Sequence, residues 1–277
     1  MDIGFGPEAF TLDSRYTAYD RPILLSGIHA LVRVLIEQAR LDRAAGHRTA
    51  GLVSGYRGSP LGGMDRELWQ QESRLAEHDI RFQPGLNEDL AATMLFGTQQ
   101  IDAFPAKRFD GVFGLWYAKG PGVDRSGDAL HCANMFGSAP LGGVLAVAGD
   151  DHGAQSSTYP HQTDQFFESI MVPVLAPSDV ADILDFGLAG ISLSRFSGLW
   201  IALKTIADVV EQHATISVPP TRSFVRPEIA LPPHGLNIDH RLQFPAQRAE
   251  LERRVLDERL PAALAWVRAN ALDRLMG

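Results

Sequence analysis

Three polar clusters in the sequence contain residue types that could do chemistry. They are the acidic stretch 87–89, the lysine Lys119 before a Gly-Pro-Gly turn, and the loop 56–63 with Arg57 and Ser59. A carboxylate can hold or transfer a proton, and a cation or a hydroxyl can bind an anionic substrate. Such residues suggest acid–base chemistry on a molecule that carries a negative charge.

Each cluster also has an ordinary structural explanation. Asn87 is a favoured N-cap residue, and the two acids after it complement the positive end of a helix dipole. Lys119 is of a type that usually keeps its ammonium in solvent. Arg57 could pair with a carboxylate or point to solvent. Residue type and spacing leave both explanations open at each position.

Histidines and acids gather in a later loop. His152 and His161 follow Asp150 and Asp151, which could suggest a metal site, but their irregular spacing favours hydrogen bonding within the loop. The sequence has no paired-cysteine or HExxH spacing, no P-loop and no dinucleotide fingerprint. We therefore predict no metal ligands in this chain.

The composition limits the class of protein. The chain has 277 residues, 45% hydrophobic and 21% charged, with a net charge of −8. It is too apolar for a disordered chain, and its acidic balance argues against nucleic-acid binding. The single cysteine, Cys132, can form neither an internal disulfide nor an iron–sulfur cluster. Without a membrane span or a signal-peptide pattern, a cytoplasmic protein is expected.

Apolar runs alternate with helical patterns through most of the chain. Strands are predicted at 49–55, 79–82, 110–117, 142–150, 171–177 and 198–204, and helices at 24–45, 64–75, 87–102, 129–136 and 178–195, with Gly46 ending the first helix. This alternation predicts an α/β fold with a parallel six-stranded sheet and helices on both faces. Ligands of such sheets bind at the carboxyl ends of the strands, where all the polar clusters fall.

The pattern divides the chain into three segments. Residues 1–21 are predicted to be an N-terminal arm, and residues 22–216 the α/β domain. Residues 217–277 contain a proline-rich connector and a helical segment from Gln247, which Pro261 should kink or restart. The apolar face of that helical segment needs a partner, either the main domain or another chain.

Four loops in order resemble those of one known module: GYRGSPLGG, PGLNEDLAAT, WYAKGPGVDRSGDALH and AVAGDDHGAQSSTYPHQTDQ. Together they resemble the N-terminal pyrimidine-binding domain of the indolepyruvate:ferredoxin oxidoreductases, which are thiamine-diphosphate-dependent 2-oxoacid:acceptor oxidoreductases. The likeness runs from about Pro22 to Thr215, and the connector and last helix resemble the stretch that follows in long fused forms. The resemblance implies a thiamine-diphosphate-binding fold for residues 22–216.

The resemblance also implies roles for cofactor-binding residues. Glu88 matches the glutamate that contacts N1′ of the aminopyrimidine and is the implied catalytic residue. Sharing a proton there helps the cofactor lose its thiazolium proton, so the glutamate should be partly buried. Gly58 and Pro60 fall in the loop implied to bind the cofactor.

Substrate contacts follow from the same resemblance. Ser59 matches a hydroxyl that faces the carboxylate and oxo group of the substrate, although this chain has Arg57 where proline is common and serine where threonine is common. Arg57 and Lys119 are candidate cations on the substrate side. The turn 150–153 and the serines 156–157 line the same cleft in the family.

One departure from the family pattern concerns the metal. These enzymes hold Mg²⁺ and diphosphate through a second domain, with a Gly-Asp-Gly start and a downstream asparagine. The chain has Gly-Asp pairs at 127–128 and 149–150, neither followed by Gly or by asparagine at the required spacing. The electron-transfer cysteines are absent as well. The Mg²⁺, diphosphate and iron–sulfur sites are therefore expected on a partner subunit or a missing domain.

The resemblance thus implies a fragment or subunit that is inactive alone and works in an oligomer. The full enzyme would oxidatively decarboxylate an aryl 2-oxoacid such as indolepyruvate to an acyl-CoA, with ferredoxin as electron acceptor; no nucleic-acid or membrane partner is expected. A non-catalytic binding or scaffold module of the same fold is the alternative. An unrelated doubly wound nucleotide-binding enzyme is a third possibility, because fold does not decide function.

Overall fold

The computed structural model describes residues 11–273, so the first ten residues of the predicted arm lie outside the described part. The strands are β1 (Ile23–Ser26), β2 (Thr49–Gly55), β3 (Ile80–Phe82), β4 (Gly111–Lys119), β5 (Val144–Asp150), β6 (Val174–Leu175), β7 (Ile201–Ile206) and β8 (His213–Ile216). The helices are α1 (Ser14–Thr17), α2 (Gly27–Ala44), α3 (Met64–Gln70), α4 (Glu72–Glu77), α5 (Glu88–Thr98), α6 (Gly120–Arg125), α7 (Gly127–Phe136), α8 (Asp164–Ser169), α9 (Val180–Ser197), α10 (Ala207–Val210), α11 (Gln247–Arg254) and α12 (Leu260–Ala269). A 3₁₀ turn covers Ile101–Ala103, and a π-helical turn, Val255–Arg259, joins α11 to α12.

Six strands form one parallel sheet in the order β3-β2-β4-β5-β7-β6. This confirms the predicted α/β fold with a six-stranded parallel sheet. The last strand before α9 is shorter than the predicted run 171–177 because Pro173 has no N–H and Met171 has a positive φ of 58°. Only Val174 and Leu175 pair with β7.

The predicted start of the first long helix was wrong. Residues 23–26 form β1, which pairs antiparallel with β8 in a separate two-stranded sheet. The helix α2 then begins at Gly27, because the Ser26 side chain accepts a hydrogen bond from the backbone N–H of His29 and the His29 ring accepts one from the N–H of Ser26. It ends before Gly46, whose φ of +82° suits glycine, as the sequence predicted.

Helices cover both faces of the sheet. On one face α2 packs against α9. Val34 of α2 lies so close to Gly187 of α9 that a side chain at residue 187 would clash with it. The same two helices are joined by a two-pronged ion pair, with Arg195 Nη1 and Nη2 at 2.6 and 2.7 Å from the carboxylate of Asp42. On the other face α5 and α7 pack around the buried Trp116 of β4.

The C-terminal segment packs on the main domain. Trp266 of α12 is buried, and α12 contacts α9. The buried guanidinium of Arg259 donates to the carbonyls of Met135 and Phe136 at the end of α7 and to that of Leu236 in the connector. The apolar face of this segment therefore finds its partner within the chain, while the boundary at residue 216 stays a prediction.

Pro261 lies in the first turn of α12, directly after the π-helical turn, so the helical segment continues through the proline with a change of helix type just before it. Within residues 11–273 no helix is both long and apolar enough to cross a bilayer.

Candidate functional site

The predicted polar clusters meet at the carboxyl edge of the sheet. Because β2, β4 and β5 are parallel neighbours, the loops that follow them lie side by side. Backbone hydrogen bonds join the loops directly: the N–H of Tyr56 donates to Tyr117 O, and the N–H of Gly85 donates to Gly55 O, each at 3.0 Å. The fold thus brings three separate stretches of sequence to one edge.

Glu88 is the first residue of α5 and is nearly buried, with 8% of its surface exposed. Asn87 caps the helix, since its Oδ1 accepts a hydrogen bond from the N–H of Leu90 at 2.9 Å. The indole N–H of Trp116 donates to the backbone carbonyl of Glu88 at 2.9 Å and fixes the main chain there. The N-cap that the sequence predicts is present, and it leaves the Glu88 carboxylate free for another role.

The Glu88 side chain lies against the bare Cα of Gly122 in α6. A Cβ at residue 122 would be 2.6 Å from Glu88 Cγ and 2.7 Å from Oε1. The nearest cation is Arg125, whose Nε is 3.9 Å from Oε2, and the Arg125 side chain is more than half exposed. Among residues 11–273 no group donates a hydrogen bond to this carboxylate. A nearly buried acceptor without a donor can take a proton or a donor from a bound molecule.

Lys119 and Ser59 are brought together by a third loop. Lys119 Nζ donates a hydrogen bond to the carbonyl oxygen of Ser156. The aliphatic part of the Lys119 side chain packs on Gly58, where an added Cβ would be 2.6 Å from Lys119 Cδ. The N–H of Ser59 donates to Ser156 Oγ, and the Ser59 hydroxyl donates to Gln155 Oε1, both at 3.1 Å. Lys119 is therefore half-buried and hydrogen-bonded to a neighbouring loop.

Two other loop residues named from the sequence lie beside this cluster. Pro60 is buried beneath the loop, in contact with the sheet edge near Gly149. Arg57 is exposed and forms no ion pair with the described residues. Its guanidinium is thus free at the mouth of the site.

The two acids at the end of β5 accept hydrogen bonds from the loop that follows the strand. Asp150 is fully buried; its Oδ2 accepts a hydrogen bond from the N–H of Thr163 at 3.0 Å and lies 3.6 Å from Lys204 Nζ. Burial raises the pKa of Asp150, because a carboxylate is poorly solvated there. Asp151 is also buried, and its Oδ2 accepts from the N–H of Ser156 at 3.1 Å.

The two histidines of this loop do not converge. His161 is buried and bonded through Nε2 to Asp124 Oδ2 at 2.8 Å, while His152 is exposed. Between residues 11 and 273 no group of three or more potential ligands could hold a metal ion. The hydrogen bond of His161 thus joins its loop to the helix α6, whereas the sequence led us to expect hydrogen bonding within the loop.

Sequence reasoning missed two contributors to the site. Gly122 belongs to a glycine-rich stretch that we interpreted as a turn, whereas residues 120–125 form the helix α6. The only sequence signal was a glycine two residues after another in that stretch. Gln155 had no signal, because its contact with Ser59 joins residues far apart in the chain.

The fold defines an α/β protein whose polar residues gather at the carboxyl edge of a parallel sheet, where such proteins bind small molecules. Among solved structures, the chain is similar to the 2-oxoglutarate:ferredoxin oxidoreductase from Magnetococcus marinus, which was solved with 2-oxoglutarate, coenzyme A and succinyl-CoA bound. The TM-score is 0.60 at 14% sequence identity, and the match covers 87% of this chain. It covers 45% of that chain, so our chain spans less than half the length of its structural neighbour.

This likeness agrees with the predicted fold class. No protein-family model matches the sequence, and no curated protein matches it. The structural match therefore concerns the fold, and the role of each site residue stays a prediction.

Proposed function

We propose that this chain is the pyrimidine-binding half of a thiamine-diphosphate-dependent 2-oxoacid:ferredoxin oxidoreductase, as a fragment or a subunit. The observation that carries the proposal is Glu88, which is nearly buried at the carboxyl edge of the sheet and whose carboxylate accepts no hydrogen bond from residues 11–273. The fold of the solved 2-oxoglutarate:ferredoxin oxidoreductase supports the general class. The four loop motifs support an aryl 2-oxoacid such as indolepyruvate as the substrate.

The residues present fit the aminopyrimidine of thiamine diphosphate. Its N1′ needs a carboxylate that can share a proton, and Glu88 offers one to which no described residue donates a hydrogen bond, with the exposed Arg125 at 3.9 Å. The missing side chain at Gly122 makes room for the Glu88 side chain itself. Glu88, Gly58 and Pro60 would hold this end of the cofactor, which supplies the electron sink for decarboxylation when bound.

Other residues of the chain would handle the substrate. The hydroxyl of Ser59 can donate to a carboxylate or an oxo group, and the ammonium of Lys119 lies within the same cluster. The free guanidinium of Arg57 adds positive charge at the mouth of the site. Together they favour an anionic substrate over a neutral one.

We assign the binding of the diphosphate end of the cofactor to a partner subunit or domain. Neither Gly-Asp pair belongs to a group of three or more possible metal ligands among residues 11–273: Asp150 accepts from the N–H of Thr163, and Asp128 lies in the first turn of α7, where Cys132 Sγ is 3.8 Å from its Oδ1. A partner subunit or domain would bring Mg²⁺, diphosphate and iron–sulfur clusters, with CoA as acyl acceptor and ferredoxin as electron acceptor. The chain alone would then be inactive.

The test uses the assembled enzyme. The chain is purified from its native source, its partners are identified by mass spectrometry, and reduction of ferredoxin with indolepyruvate is measured in the complex. Glu88→Gln should abolish turnover, since an amide cannot share the proton, while circular dichroism and the melting temperature stay close to those of the wild type. Asp89→Asn, the same change at the next residue of the same helix turn, should keep most of the activity.

Two results would contradict this proposal. Turnover of indolepyruvate by the isolated chain would show that no other half is required. An active Glu88→Gln complex would remove Glu88 from the reaction. If the purified partners contain no metal-binding half, the chain is a non-catalytic binding module of the same fold, as the lack of metal-binding residues would also allow.

A further inference from the structure

The loop 151–157 closes over the residues expected to meet the substrate. Ser156 accepts from Lys119 through its carbonyl and from the N–H of Ser59 through its hydroxyl oxygen. Gln155 accepts from the Ser59 hydroxyl. The two groups best suited to bind a substrate carboxylate, an ammonium and a hydroxyl, are thus both engaged by this loop.

We propose that residues 151–157 form a gate over the site and that Lys119 is its latch, released when a carboxylate replaces the carbonyl of Ser156. This inference rests on the proposed function, because it takes the anion to be a 2-oxoacid. Lys119 is then a positioning residue that acts on the loop, in addition to being a candidate substrate contact.

The exchange of partners follows from the charges. In the closed arrangement the Lys119 ammonium faces a neutral carbonyl oxygen, whereas a carboxylate would add the attraction between two opposite full charges. A carboxylate would also compete with Gln155 for the Ser59 hydroxyl. Within the loop, Asp151 accepts from the N–H of Ser156, and the second lysine of the region, Lys204, is bonded to Asp164.

The loop runs between two buried residues, whereas the residues between them are mostly exposed. Asp151 at its start is 1% exposed, and His161 beyond its end is buried and tied to Asp124. Between them most side chains are exposed, and Ala154 has a left-handed φ of 53°. Because the loop buries little apolar surface, its closed position depends on a few hydrogen bonds. The donor of one of them, the Lys119 ammonium, carries a full positive charge.

The test measures backbone hydrogen exchange by mass spectrometry in the full chain, for peptides that cover residues 151–157. Lys119→Met removes the ammonium but keeps an unbranched side chain packed on Gly58. The substitution should speed hydrogen exchange in this loop about tenfold, because it removes the hydrogen bond to the Ser156 carbonyl. The matched control is Lys107→Met, which removes a surface ion pair with Asp102 and should leave the loop unchanged.

The ligand arms use phenylpyruvate, an aryl 2-oxoacid, and its uncharged methyl ester. Phenylpyruvate should speed exchange of the loop in the wild type, the ester should not, and neither should change the already open Lys119→Met variant. Unchanged exchange in Lys119→Met, or an equal response to acid and ester, would overturn the gate.

The Glu88→Gln measurement in the assembled enzyme stands apart from these outcomes. An inactive Glu88→Gln complex together with an unresponsive loop would refute the gate and leave the proposed function in place. A loop that opens with phenylpyruvate in a chain whose complex tolerates Glu88→Gln would support the gate and refute the cofactor role.

Discussion

The carboxylate of Glu88 lies against the backbone of Gly122, so closely that a methyl group at residue 122 would be 2.7 Å from Oε1. This contact joins the first residue of α5 to α6, two helices that follow different strands of the sheet. It orients the acid, whose oxygens accept no hydrogen bond from the described part of the chain. Apart from this packing contact, the exposed Arg125 is the one cation among the described residues within 4 Å of the carboxylate, so the proton-accepting sites stay available, which is the property that the proposed function needs.

Replacing Gly122 with alanine should displace Glu88. The added Cβ would also be 2.9 Å from Ala118 Cβ, so the overpacked site should lose about 1–3 kcal/mol of unfolding free energy. Urea unfolding of the isolated chain measures this loss, and the assembled enzyme should lose turnover as well. Gly97→Ala is the control, because its Cβ would meet nothing within 4 Å and alanine favours the helix. A Gly122→Ala chain as stable as the wild type would contradict the close contact.

Replacing Arg259 with methionine should destabilise the chain far more than the same change on the exposed face of α12. The buried guanidinium satisfies carbonyls of α7 and of the connector, which would be left without donors. We expect a loss of about 3 kcal/mol in urea unfolding, against at most about 0.5 kcal/mol for Arg268→Met. Equal losses in the two variants would show that the C-terminal segment does not depend on Arg259.

The pH dependence of stability should reveal Asp150. Burial raises its pKa in the folded chain, so the native state binds more protons than the unfolded state near that pKa. The stabilisation of the native state by this extra proton is present at acid pH, and it is lost as the pH rises through the pKa of Asp150 in the folded chain. Between pH 4 and pH 7, the wild type should therefore lose stability relative to Asp150→Asn, as measured by urea unfolding at each pH.

Asp239 is the control for that series. Hydrogen bonds from Arg241 and Arg254 hold the pKa of Asp239 well below its usual range. The stabilisation that the ionised Asp239 gives to the folded chain is therefore complete above the unfolded-state pKa of about 3.9, and it is lost only as the pH falls below that value. The difference between the wild type and Asp239→Asn should stay constant from pH 7 to pH 4. A constant difference for Asp150→Asn as well would contradict the raised pKa.

Much of the fold could be predicted because its signals are local. The run 49–55 is a continuous stretch of small and branched residues, and it forms β2 with those bounds. Gly46 ends α2 and Asn87 caps α5, each through the chemistry of one residue and its near neighbours. The strand 23–26 escaped prediction because its apolar residues also suit a helix, and its partner β8 lies at the other end of the domain.

The sequence by itself determined the alternation of strands and helices and the set of polar residues at the strand ends, because periodicity and capping act over a few residues. Only the tertiary structure decided which of those residues meet. Glu88 faces Gly122, Lys119 reaches Ser156, and Arg259 binds the end of α7 because parallel pairing brings distant loops to one edge and packing selects their neighbours. Contacts between residues far apart in the chain leave no periodic signal in the sequence.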